Sequence, residues 1–215
     1  MTPALRETFS TSLTLLVFSV VCASLLAGAY FATRPNIERS EQEEKMRLVA
    51  QALPPASFDN DPIHDARPLP VDPLLGLKHA GQAYVASRTG TPVAVVLEVI
   101  APDGYAGEIK LLIGIRADGS IAGVRVTAHK ETPGLGDYIE AAKSNWTHQF
   151  EGKGLSTPPE AAWKVRKDGG QFDYMAGATI TPRAVVKAVH KALRYFEEHR
   201  ESLLRLPESP PGGTP

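Results

Sequence analysis

Cysteine is almost missing from this chain: Cys22 is the only one in 215 residues. That excludes an internal disulfide framework and any cysteine-ligated zinc or iron–sulfur site. Cys22 lies in an apolar run, where it serves as a small hydrophobe. Val21 stands where a small residue would precede a lipidated cysteine, which weakens a lipid-anchor reading. There is no excess of charge of either sign, with 23 basic against 24 acidic residues, and so no electrostatic footprint for nucleic acid. No Ser/His/Asp set with recognisable spacing, no phosphate-cradling loop of the nucleotide-hydrolase type and no internal repeat is present. His64 and His79 lack metal-ligand spacing and are expected in solvent.

Long uncharged stretches are also few, and one stands out. Residues 8–33 carry no charged side chain, more than the roughly 20 residues needed to cross a bilayer. Leu13, Leu15, Leu16, Val17, Phe18, Val20, Val21, Leu25 and Leu26 make the stretch apolar on all sides, so residues 1–34 are expected to form an N-terminal transmembrane helix. The rival is a cleavable signal peptide, since Ala27-Gly28-Ala29 fits a small-x-small junction. Tyr30 and Phe31 suit an interfacial belt better than such a junction. Arg6 and Glu7 at one end, and Arg34 and Arg39 at the other, leave orientation undecided by charge. Residues 38–53 predict a charged helix with a thin apolar stripe of Met46, Val49, Ala50 and Leu53, ended by Pro54 and Pro55. Residues 54–76 are rich in Pro and Asp without a period, so residues 35–80 are expected to join the anchor to a folded domain over 81–205. Residues 206–215 are Pro/Gly-rich and expected to be disordered.

Within the folded part, residues 83–87, 93–99, 109–115 and 121–126 are short β-prone runs. Gly90, Asp103-Gly104 and Asp118-Gly119 separate them, and Asp118-Gly119 is the strongest hairpin signal in the chain. Consecutive strands with tight turns predict an antiparallel sheet with flanking helices, an α+β arrangement. A short helix is expected over 137–145 with Asp137 as its N-cap, followed by Trp146 and Phe150 as anchors to the sheet. Residues 162–165 suggest one more strand before the Asp168-Gly169-Gly170 turn.

The rest of the chain is organised around Asp173-Tyr174-Met175-Ala176-Gly177-Ala178-Thr179-Ile180-Thr181-Pro182-Arg183. Gly177 supplies backbone freedom, Thr181 is an expected N-cap, and Pro182 suits the first helical position. Ala184, Val185, Ala188, Val189, Ala192, Leu193 and Phe196 then recur on one helical face. Thr179 thus sits just before a helix N-terminus, where free N–H groups and the helix dipole favour a phosphate, and Arg183 adds a cation. The same spacing also fits an ordinary capped helix. Residues 131–136 form a glycine-bearing loop after a β-prone run, with room for a flat aromatic ligand. A plain strand-to-helix turn, an acid/base pair of His129 with Glu131, or a metal ligand at His129 are the competing readings of that loop.

Asp173-Tyr174-Met175-Ala176-Gly177-Ala178-Thr179 resembles the acceptor motif of proteins that carry FMN covalently, with Ala176 where that motif usually has Ser. His129-Lys130-Glu131-Thr132-Pro133-Gly134-Leu135-Gly136-Asp137 and Ala101-Pro102-Asp103-Gly104-Tyr105-Ala106-Gly107 join it. The three blocks, in this order behind an apolar segment, resemble the G subunit of the Rnf-type ion-translocating electron-transport complex, over about residues 13–204. The resemblance implies FMN linked by a phosphoester to Thr179 and installed from FAD by a flavin transferase. It further implies Asp173, Gly177, Ala178, Thr181, Glu131, Thr132 and Gly134 as cofactor-binding residues. It implies a single-pass protein of the bacterial inner membrane, its N-terminus cytoplasmic and its globular domain periplasmic. Such a protein relays electrons among the other subunits of its complex rather than acting as a stand-alone enzyme, with NADH or ferredoxin as the source elsewhere in the complex. The C subunit of the sodium-pumping NADH:quinone reductase shares the acceptor motif and is the close alternative. A membrane-tethered flavin-binding sensor without turnover is the alternative of another class.

Overall fold

The computed structural model describes residues 3–54 and 57–205, though within the first helix the side chains at 3–11, 14, 32, 35–42, 44 and 45 lie outside the described residues. So do residues 206–215, on which the expectation of a disordered tail falls. The chain divides into two compact units, Met1–Glu44 and Lys45–Pro215.

The described residues of the first unit are helical and belong to α1, Pro3–Ala52. Its large apolar side chains described between Leu13 and Phe31 are exposed, Leu25 and Leu26 at 69% and 73%. Among the described residues no helix is long and apolar enough to cross a membrane.

The second unit is built on five strands: β1 Arg67–Leu69, β2 Gly81–Arg88, β3 Thr91–Gly104, β4 Gly107–Arg116 and β5 Ile121–Ala128. They lie in sequence order, each antiparallel to its neighbour. The β4–β5 turn forms at Asp118-Gly119 as expected: Gly119 takes φ +88° and the Asp118 carboxylate accepts the Ser120 N–H at 2.8 Å. Alternation along the strands divides the core. Val85, Val95, Leu97, Ile113 and Ile115 face one side, which α2, Ile180–Leu203, covers with Val185, Val189, Leu193 and Phe196. Tyr84, Ala86, Val96 and Leu112 face the other and meet Val49, Ala52 and Leu53 from the end of α1. Gly114 and Gly123 are partners across β4 and β5, and a Cβ on either would come within 2.4 or 2.9 Å of the Ala52 carbonyl oxygen. The paired glycines let the end of α1 lie directly on the sheet.

An α+β fold with an antiparallel sheet and flanking helices is therefore what forms, and three local expectations change. Residues 137–145 make only a 3-10 turn, Asp137–Ile139, before a second one at Trp146–Phe150. The Asp137 carboxylate does not cap; it accepts the Gly134 N–H and the Lys143 ammonium, both at 2.8 Å. Residues 162–165 form no strand, only a single bridge between Val165 and Phe172 after a 3-10 turn at Glu160–Ala162. β1 arises inside the stretch expected to be irregular.

Candidate functional site

The acceptor stretch is tied down from behind. The Trp146 indole N–H donates to the Asp173 carbonyl at 2.8 Å, and the Asp173 N–H donates to the Gln149 side chain at 2.7 Å. Phe172, just before this stretch, packs on Phe150 and Trp163, with ring centroids 4.9 and 4.8 Å away. Tyr138 accepts the Met175 N–H at 3.3 Å, and burial pushes its phenol up to about 12. A turn follows, closed by the Ala178 N–H on the Met175 carbonyl at 3.1 Å, with Gly177 at φ +87°. A residue with a Cβ is strained in that conformation.

Thr179, half-buried, is the N-cap residue of α2, and its hydroxyl makes no capping bond. Ile180 and Thr181 occupy the first turn, where N–H groups have no carbonyl of the helix to bond. The dipole end of a long helix and these donors meet at Thr179, a favourable setting for a phosphate. Two expectations are corrected. Thr181 is not the cap: it is 1% exposed and donates its hydroxyl to Glu131 Oε2 at 2.5 Å. Arg183 does not face the acceptor position, because Asp168 takes its guanidinium by two bonds of 2.6 Å. That pairing raises the Arg183 value and lowers that of Asp168.

The loop 131–136 runs alongside. His129 Nδ1 accepts the Glu131 N–H at 3.0 Å, so in neutral His129 the proton is on Nε2, 2.8 Å from Glu140 Oε1. Lys143, and then His129, hold Glu140 below its ordinary value. Both nitrogens of His129 are thus engaged within the protein rather than offered to a metal or substrate. Glu131 is 4% exposed and accepts from Ala106 N–H and Thr181, so it is not open to solvent as a general base.

Between these elements lies a cleft of about 300 Å³. Tyr105 lines it from the β3–β4 hairpin, Glu131, Thr132, Leu135 and Gly136 from the loop, and residues 177–181 from the acceptor turn and α2. It brings together Glu131, Thr132, Gly177, Ala178, Thr179 and Thr181. Gly134 is not among its lining residues, and its N–H is engaged by Asp137. Asp173 also lies off the lining, with an exposed carboxylate 3.0 Å from Arg166. Tyr105, Leu135, Gly136 and Ile180 also line it; they lie within the quoted sequence blocks but are not among the cofactor-binding residues the resemblance implies. Tyr105 at 67%, Leu135 at 47% and Ile180 at 46% exposure are large apolar groups in or beside loops, and that misplacement is their signal. Apolar walls beside an uncommitted hydroxyl at a helix N-terminus fit a flat ring carrying a phosphate.

Residues 104–194 match the family model of the FMN-binding domain, and residues 1–52 that of the RnfG N-terminal region. The G subunit of the ion-translocating oxidoreductase complex from Pseudomonas aeruginosa is 51% identical over 93% of both chains. The corresponding G subunit of Vibrio cholerae is 47% identical over 91% of this chain and 93% of its own. A solved C subunit of the Na(+)-translocating NADH-quinone reductase, from Parabacteroides distasonis, is 19% identical with a TM-score of 0.52, over 81% of this chain and 98% of that one. That likeness is one of fold alone. Sequence identity sustained over nearly the full length of both chains decides the family: this chain belongs to the G subunits of the ion-translocating oxidoreductase complex.

Proposed function

We propose that this chain is an electron-relaying flavoprotein subunit of an ion-translocating oxidoreductase complex, with FMN attached to Thr179 in the cleft beside α2. The observation that carries the site is the uncommitted Thr179 hydroxyl at the N-terminus of α2, facing apolar walls. For attachment, the Thr179 oxygen takes the FMN phosphate from FAD on a flavin transferase. A P–O bond forms to Thr179, the pyrophosphate bond breaks, AMP leaves and the hydroxyl proton goes to a base of the transferase. When bound, FMN supplies the redox chemistry; the protein orients it and limits its contact with water. Ile180 and Thr181 would offer N–H groups to the phosphate, and Tyr105, Leu135 and Ile180 would offer an apolar wall to the ring. Asp173, outside the cleft, serves the transferase as a recognition group.

The exposed apolar side chains of residues 13–31 support an N-terminal anchor in the inner membrane, with the domain of residues 81–205 on the periplasmic side and residues 35–80 between them. Covalent attachment suits that side, where a dissociated flavin would be lost. Partners are the other subunits of the complex. Family membership favours this reading over the C subunit of the quinone reductase and over a sensor without turnover.

Mass spectrometry of the intact protein should show the sequence mass plus one FMN less one water, with flavin fluorescence retained after denaturation. Thr179→Ala should remove both; loss in Thr181→Ala with retention in Thr179→Ala would move the linkage. Alkaline washing should leave the full-length chain in the membrane fraction, and a mature N-terminus near Tyr30 would overturn the anchor.

A further inference from the structure

Glu131 is a buried acidic side chain in the wall of the cleft, and each of its carboxylate oxygens accepts a hydrogen bond from the protein. Oε1 accepts the Ala106 N–H from the β3–β4 hairpin at 3.0 Å, and Oε2 accepts the Thr181 hydroxyl of α2 at 2.5 Å. Its own N–H is taken by His129. Among the described residues no Lys or Arg pairs with it; N–H and O–H donors alone satisfy it. Two glycines make room for it: a Cβ on Gly104 would lie 2.9 Å from Oε1, and one on Gly136 would lie 2.7 Å from Oε2. One carboxylate therefore joins three separate pieces of chain, all of which line the cleft or adjoin it. A second tie between this hairpin and α2, Lys187 to Asp103, is exposed on both sides, and solvent weakens such a pair.

We propose that Glu131 is a positioning residue that clamps Thr181 and the β3–β4 hairpin together, fixing Thr179, two residues before Thr181, relative to the apolar wall of the cleft. The proposal rests on FMN lying in that cleft on Thr179. The orientation of the ring then depends on a group each of whose oxygens is held by a donor of the protein. A phosphoester on Thr179 is a flexible tether, and the wall of Tyr105 and the turn of α2 restrict the ring only while their separation is fixed. An unpartnered acceptor in a buried place is costly, so both bonds form together and hold that separation.

The test uses the flavinylated full-length protein and reads the visible circular dichroism and fluorescence anisotropy decay of the flavin, with melting temperature alongside. Glu131→Ala and Thr181→Val should still carry FMN but lose most of the visible dichroism and show faster depolarisation. Their combination should be no worse than Glu131→Ala alone, because that variant already removes the bond to Thr181 together with the one to Ala106. Glu131→Gln should retain the wild-type signals, since the amide oxygen still accepts from Ala106 and the amide N–H donates to a rotated Thr181 hydroxyl. Unchanged flavin signals in Thr181→Val overturn the clamp, even if Glu131→Ala does not fold. Equal loss in Glu131→Gln and Glu131→Ala also overturns it, in favour of an effect of charge. A wild-type flavin as mobile as free FMN overturns the cleft as the cofactor site and the clamp with it, whereas a held wild-type flavin undisturbed by these variants overturns the clamp alone.

Discussion

Trp146 donates its indole N–H to the backbone carbonyl of Asp173, so the acceptor stretch is anchored through its backbone while the Asp173 side chain points to solvent. Trp146 also packs edge-on to Tyr138 and Phe150, at 5.6 and 5.4 Å between ring centroids. Trp146→Phe keeps a ring but deletes the donor. A single hydrogen bond contributes about 0.5–1.5 kcal/mol net, and the smaller ring adds a packing loss. Chemical denaturation should show destabilisation of at least that size, and no loss would mean the indole bond is replaced by water.

Asp173→Ala should separate recognition from folding. The Arg166 and Asp173 side chains are 65% and 59% exposed, and surface pairs of this kind contribute about 0–1 kcal/mol. The melting curve of the unmodified protein should be nearly unchanged while flavinylation falls away. A fully flavinylated Asp173→Ala protein would reject the role in transferase recognition.

The strands are legible in the sequence because each obeys a local rule: alternating apolar side chains, punctuated by glycine-bearing turns such as Asp118-Gly119. β1 is not legible, since Arg67–Leu69 is three residues long, contains Pro68 and exists only by pairing with β2 at the sheet edge. α2 is capped two residues earlier than local grammar favours, for a non-local reason. That grammar offers Thr181 as a cap, but its hydroxyl is bonded to Glu131, fifty residues away. Arg183 likewise finds Asp168 rather than the acceptor position, a pairing that only the fold brings about. The place of Thr179 just before the helix is legible from spacing, and Tyr105 and Leu135 fall inside the quoted motifs, but only the fold brings them and Ile180 to one cleft.

Lys143 links Asp137 and Glu140 at 2.8 Å each and holds the end of the 131–136 loop. Lys143, through its hydrogen bonds, is the leading cause that keeps both carboxylates below their ordinary values of 3.8 and 4.5. A carboxylate lowered in the folded state contributes stability that is complete above its ordinary value and is lost as pH falls through the lowered one. The melting temperature of wild type should therefore exceed that of Lys143→Met at neutral pH, and the gap should close in acid beneath those values. A gap that persists unchanged in strong acid would show that Lys143 acts through packing and not through the carboxylates.

The loop facing the cleft contains two residues expected to differ in what they control. Thr132 lines the cleft with an exposed side chain, so its hydroxyl is available to a ring oxygen or nitrogen. Donors aimed at the ring favour its more electron-rich, reduced form. One such bond contributes about 0.5–1.5 kcal/mol, and about 1.4 kcal/mol corresponds to about 30 mV for a two-electron couple. Thr132→Val should lower the flavin midpoint by tens of millivolts at most, with little change in stability. Gly134 stands off the lining, at φ +77°, with nothing within 4 Å of an added Cβ. Gly134→Val meets no neighbour, but a β-branched residue in that conformation stores about 1–3 kcal/mol of strain. Its effect should fall on stability, and on the midpoint only as far as the loop shifts. Both variants should remain flavinylated, because the acceptor stretch is untouched. Redox titration with parallel denaturation decides: a midpoint unmoved by Thr132→Val removes that hydroxyl from the flavin's surroundings, and a large midpoint shift in Gly134→Val at wild-type stability would place Gly134 against the ring.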